Sequence, residues 1–109
     1  AGLKAKYEGQ LVLQDLGQRI QAAAQAGKQD EIAKLLDEGL ASDKLTAPQK
    51  QELSVNKAGF LMQQSKFDNA IRTLQDAQKL APESDLAKRI PGFINQAEAA
   101  RDKAKVVPK

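Results

Sequence analysis

Cysteine and histidine are both absent from the 109 residues. Their absence removes disulfides, thiolate nucleophiles and the usual zinc and copper ligand sets, leaving only carboxylates for a transition metal. Tryptophan is missing as well, and aromatic residues make up 4% of the chain. A core must therefore be assembled from Leu, Ile, Val and many alanines, which requires helices to approach closely. No apolar run comes near the roughly 20 residues of a membrane-spanning helix, and no stretch has the pattern of a secretory leader. Charge of one sign is also scarce. The net charge is +3 within 28% charged residues, too small an excess to argue for nucleic acid by itself. The chain opens on Ala1, not Met, and is expected to be a piece of a longer protein.

These absences weigh against catalysis. The remaining acid–base groups are carboxylates, lysines and Tyr7. The pairs Asp30-Glu31 and Asp37-Glu38 are adjacent in sequence, and neighbours on a helix point in different directions. Gly27-Lys28 lacks the earlier glycine and the following Ser or Thr of a phosphate-binding loop. The expectation is a protein that is not an enzyme, with no cofactor and no metal site.

What is present is helical periodicity. Leu3 to Ala26 has no proline, and Leu13, Leu16, Ile20, Ala23 and Ala24 recur at spacings of three and four. Gly9 predicts a break that leaves Ala1 to Glu8 as a frayed lead-in, and Gly27 suits a left-handed cap. A second helix follows from Asp30, with Ile32, Leu35, Leu36, Gly39 and Leu40 on one stripe, ending between Ala41 and Asp43. Ser42 to Leu45 reads as a loop. Thr46-Ala47-Pro48-Gln49 is a capping-box start for a third helix, Ala47 to Gln64. The clearest pattern belongs to Phe67–Leu80, with Phe67, Ala70, Ile71, Leu74, Ala77 and Ala81 on one face before Pro82. Ser84 caps a fifth segment with Leu86, Ile90, Phe93, Ile94 and Ala97 in phase. Pro91 predicts a kink within it, and residues 105–109 are expected to fray.

The turns repeat. Aligning Gly27-Lys28-Gln29-Asp30 with Ser65-Lys66-Phe67-Asp68 places Ile32 on Ala70, Leu36 on Leu74 and Gly39 on Ala77, at an offset of 38 residues. In the second unit Ala58, Leu61, Ala70, Leu74, Ala77 and Pro82 alternate small and large residues, around the turn Ser65-Lys66-Phe67-Asp68-Asn69-Ala70-Ile71. On these residues the chain resembles the tetratricopeptide repeat (TPR) family, whose unit is a helix–turn–helix of about 34 residues. Residues 53–82 carry the resemblance well and residues 13–42 fairly. Ser54 stands where the family often has a bulky aromatic, Lys57 where Leu is usual, and Ile20 where a small residue is usual. The extra four residues fall in the loop near Asp43-Lys44-Leu45. The resemblance implies an all-α, right-handed array of about five helices in one domain. Its parts would be unit 1 (13–42), unit 2 (47–82) and a capping helix (84–104). An antiparallel bundle of two alanine-faced hairpins is the alternative.

The resemblance also implies a function: a scaffold or adaptor that receives a peptide, a helix or a neighbouring domain in a shallow groove lined by the first helix of each pair. Carried onto this chain, the groove positions are Gln14, Gly17, Gln21 and Gln25 from the first unit. The second supplies Glu52, Val55, Gly59, Met62 and Gln63, and the last helix supplies Arg89, Phe93 and Gln96. Family members that clamp a C-terminal carboxylate use Lys and Asn on these helices. The matching Gly17, Gln21, Val55 and Gly59 are not cationic, so a neutral or partly apolar segment is expected, with glutamines bonding its backbone. Two other functions remain open. The same residues would form a homo-oligomer interface, since two repeats fall short of the three or so that a stable stack needs. Alternatively, the basic end (Lys88, Arg89, Arg101, Lys103, Lys105, Lys109) would meet nucleic acid, although Glu83, Asp85, Glu98 and Asp102 dilute it and no aromatic ladder accompanies it.

Overall fold

The computed structural model describes the backbone of residues 2–106 and the side chains of residues 7–105; Ala1 and the end of the expected frayed tail (residues 107–109) lie outside that range. Five helices follow one another: α1 (Gly2–Gln25), α2 (Gln29–Ala41), α3 (Ala47–Gln63), α4 (Phe67–Leu80) and α5 (Asp85–Val106). No strand occurs among the described residues, so the fold is all-α.

Local chemistry sets most of the helix ends. Thr46 Oγ1 accepts from the Gln49 amide at 3.4 Å while Gln49 Oε1 accepts from the Thr46 amide at 2.9 Å, closing the expected capping box. The two inter-helix turns share one backbone conformation. Gly27 and Ser65 have φ of 73° and 63°, and Lys28 and Lys66 have φ, ψ of −95°, 75° and −91°, 65°. In the first turn the amides of Gly27 and Lys28 donate to Ala24 and Ala23. In the second, the amides of Ser65 and Lys66 donate to Met62 and Leu61. Each is the left-handed cap with paired inner and outer bonds, which occupies the orphan carbonyls of a helix end. The offset read from the sequence is thus repeated in the backbone.

One expectation is corrected. α1 runs unbroken through Gly9. Gly9 is buried, and a Cβ there would overlap the side-chain amide of Gln49, so this glycine allows the start of α3 to lie against α1. At Pro91, where a kink is expected, the helix is not divided and runs from Asp85 to Val106. Proline has no N–H for the carbonyl four residues back, which is Ala87. That carbonyl accepts instead from Gln78 Nε2 on α4 at 3.3 Å. A neighbouring helix supplies the donor that the proline lacks.

Each helix packs most closely on its neighbours in the chain. In addition, α3 touches both α1 and α5, while α2 and α4 make no backbone approach to each other among the described residues. This gives two layers, α1–α3–α5 over α2–α4. The Cα extents are 55 × 36 × 16 Å. The shortest matches an interhelix spacing of about 10 Å plus a Cα radius of about 2.3 Å on either side. The radius of gyration is 14.9 Å, against about 13 Å for a round domain of this length.

The core falls into two clusters. Leu16, Ala23, Ile32, Leu35, Leu36, Leu45 and Leu53 fill the first, between α1, α2 and the start of α3. Leu45 brings the α2–α3 loop into this cluster, an anchor that the polar loop sequence did not announce. Ala58, Ala70, Leu74, Ala77 and Ile90 fill the second, between α3, α4 and α5. Small residues set the spacing: Ala70 and Ala77 are 0% exposed. A Cβ on Gly39 would collide with Leu53 Cδ2 and lie 2.6 Å from Leu16 Cδ1.

One polar group is wholly enclosed. Gln51 is 0% exposed. Its Nε2 donates to the Ala77 and Ala81 carbonyls at 2.9 and 3.1 Å, and its Oε1 accepts from Ser84 Oγ. Ser84 Oγ in turn accepts from the Ala87 amide at 2.9 Å, capping α5. Through this side chain α3 holds the end of α4 and the beginning of α5 together, and every buried polar side-chain atom among the described residues is satisfied.

Candidate functional site

The α1–α3–α5 layer is not closed. α1 and α3 touch less than any other contacting pair, and between them lies a slot of about 460 Å³. Gly17, Ile20 and Ala24 form its α1 wall, Val55, Asn56, Gly59, Phe60 and Gln63 its α3 wall, and Ile32 and Leu36 of α2 its floor. The spacings follow from helix geometry: positions three, four and seven apart share a face. Beside it, between α3 and α5, is a notch of about 150 Å³ lined by Val55, Ala58, Gly59, Met62, Leu74, Phe93 and Gln96. Val55 and Gly59 line both hollows, which sit side by side against α3 and together make up the trough.

No residue lining either hollow is charged, although 28% of the chain is. The polar members are three amides, Asn56, Gln63 and Gln96. The charges are spent elsewhere. Arg19 faces Asp15 and Glu38 at 3.6 and 3.7 Å, and Lys57 holds Asp37 at 2.8 Å, tying α3 to α2. Arg101 donates to Asp68 at 3.0 Å across α4 and α5. That hydrogen bond, with Asp102 alongside, holds the Arg101 guanidinium above its ordinary pKa. These pairs are largely exposed and screened, so each adds little to stability.

Two glycines stand in the trough walls with open space beside them, as Gly92 does on α5 outside it. A Cβ added at Gly17 or at Gly59 would meet nothing within 4 Å. Unlike Gly9 and Gly39, they serve no close approach inside the chain, and each still costs its helix about 1 kcal/mol relative to Ala.

Of the residues expected at a groove, the trough gathers Val55, Gly59, Met62, Gln63 and Phe93, together with Gly17 and Gln96. Gln14, Gln21 and Gln25 are exposed on α1, Glu52 on α3 and Arg89 on α5; none of the five lines either hollow. The α1 wall is turned toward Ile20 and Ala24, which sequence reasoning assigned to the core stripe. Asn56 and Phe60 were missed, although Asn56 lies three positions from Gly59 and Phe60 three from Gln63, and so on overlapping faces.

A further hollow of about 280 Å³ lies between α1 and α2, where Asp15, Arg19 and Glu38 stand beside Leu11 and Val12, and its charges are those already paired with one another. The recess at the α1–α2 turn is lined by a single stretch, Gly27 to Glu31 with Lys34. Among the described residues no group of acidic side chains could hold a metal ion, and no helix is long and apolar enough to cross a membrane. On the basic end, Lys88, Arg89, Lys103 and Lys105 are exposed, while Arg101 is engaged by Asp68. No family model, no curated protein and no solved structure matches this chain.

Proposed function

We propose that this chain is a non-enzymatic protein–protein interaction module, a TPR-like pair of hairpins with a covering fifth helix, which holds a partner polypeptide in the uncharged trough. The observation that carries this reading is the trough itself: two adjoining hollows on either side of α3, lined by no charged residue, with exposed glycines on the α1 and α3 walls. Glycine inside a helix is costly and is kept where another backbone must come close. The TPR-like arrangement is supported by the turns repeated 38 residues apart and by the α1–α3–α5 contacts. In such stacks the first helices of successive units adjoin and face the ligand.

Selection of displayed polypeptides on the immobilised chain tests the proposal. Selected binders should shift the amide resonances of Gly17, Val55, Gly59, Met62 and Phe93, and should be lost on a Val55→Asp/Met62→Asp variant that keeps its helical signal. Equal enrichment on that variant, or shifts confined to the outer faces of α2 and α4, would overturn the groove assignment. Should the trough instead pair two copies of this chain, light scattering would show mass rising with concentration and the same double variant would abolish the rise.

A further inference from the structure

We infer that the occupant of the slot between α1 and α3 is an α-helix of the partner presenting an uncharged, apolar face; this rests on the trough being the binding surface. Three observations select a helix over an extended segment. The first is hydrogen bonding. An extended segment exposes an N–H and a C=O at every residue, and burying them unpaired is costly. The slot offers side-chain polar groups only at Asn56 and Gln63, both on the α3 wall. Gln14, Gln21 and Gln25, which would have served an extended backbone, lie outside it. A helix satisfies its own backbone and needs no such donors. The second is the walls. Gly17 and Gly59 stand on opposite sides with open space where a Cβ would be, so an incoming helix can approach both α1 and α3 more closely than larger side chains would allow. The third is length. From Val55 to Gln63 the α3 wall spans eight residue steps, about 12 Å at helical rise, or roughly two turns of a parallel helix. The floor of Ile32 and Leu36 then faces side chains spaced three and four apart on that helix. Charge fixes the chemistry of the face: with no ionic partner anywhere in the trough, a Lys or Glu pointing inward would be desolvated without compensation.

The test sets two libraries against the intact 109-residue chain. One randomises the surface of a single helix on a stable helical scaffold; the other displays linear peptides in which prolines prevent helix formation. The expected result is enrichment from the helical library, with an uncharged consensus face and amide shifts at Gly17 and Gly59. Binding should weaken by at least about tenfold on Gly59→Gln, whose side chain enters the slot, while that variant's thermal unfolding is not lowered. Enrichment of the linear library alone, with the same shifts and the same sensitivity to Gly59→Gln, would overturn the helix inference and leave the trough as the binding surface. No binder sensitive to Gly59→Gln from either library would overturn both.

Discussion

Replacing Gln51 tests the mechanical logic of the fold most directly. Its amide makes three hydrogen bonds, to the Ala77 and Ala81 carbonyls and with Ser84 Oγ, from a position with no solvent exposure. Gln51→Met keeps nearly the same length and volume and removes all three. At about 1 kcal/mol for each internal hydrogen bond, the expected loss is about 3 kcal/mol, with more where a carbonyl is stranded without water. Gln51→Ala adds a cavity term of about 1–2 kcal/mol. A chain of this size has on the order of 5–15 kcal/mol in total, so the Met variant should lower the melting temperature by about 10–20 °C. The chain has no Trp, so urea and thermal unfolding are best followed by far-UV circular dichroism. Ser84→Ala alone should cost about 1–2 kcal/mol as a lost cap. The double variant should cost less than the sum of the two singles, by about 1 kcal/mol, because the residues share a bond. A Gln51→Met loss below about 1 kcal/mol, with no coupling to Ser84, would refute the claim that this side chain joins α3, α4 and α5.

Three further substitutions separate the roles of the glycines. Gly39→Ala should destabilise by about 1–2 kcal/mol in urea titration, because overpacking against Leu16 and Leu53 exceeds the gain in helix propensity. Gly59→Ala should stabilise by about 1 kcal/mol, since its Cβ meets open space; a loss of stability would show that the wall is already occupied. At the matched turns, Gly27→Ala should cost about 1 kcal/mol, because a Cβ is strained at positive φ. Ser65→Gly should leave stability unchanged or raise it by up to about 1 kcal/mol, with strain relief set against unfolded-state entropy. Finally, Gln78→Leu should destabilise α5 locally, seen as faster amide exchange around Pro91, because the Ala87 carbonyl loses its replacement donor.

Whatever depends on neighbours along the chain was legible in the sequence. The capping box at Thr46 and Gln49, the bounds of α4, the turns at Gly27 and Ser65 and their shared offset all rest on hydrogen bonds spanning three to five residues. The stripes that contain Leu16, Ile32, Leu36, Ala70, Leu74 and Ala77 follow from helical periodicity alone, and so the all-α class did as well. Absence of Cys and His narrowed the chemistry before any fold was known. Val55, Gly59, Met62, Gln63 and Phe93, which the TPR resemblance assigned to a groove, do line the two hollows.

Tertiary structure decided the rest, for one physical reason: rotation about a helix axis is set by what the helix packs against. Composition reads Gly9, Gly39 and Gly59 as the same residue, a weak point in a helix. Packing makes the first a bed for Gln49, the second a contact for Leu16 and Leu53, and leaves the third open. Equally, α1 presents Gly17, Ile20 and Ala24 to the slot in place of its glutamines, because α2 takes up Leu16 and Ala23. Gln51 and Gln78 carry no local signal at all. Their partners lie 26 to 33 residues away for Gln51 and on another helix for Gln78, so only folding turns two ordinary polar side chains into the pieces that close the ends of α4 and α5.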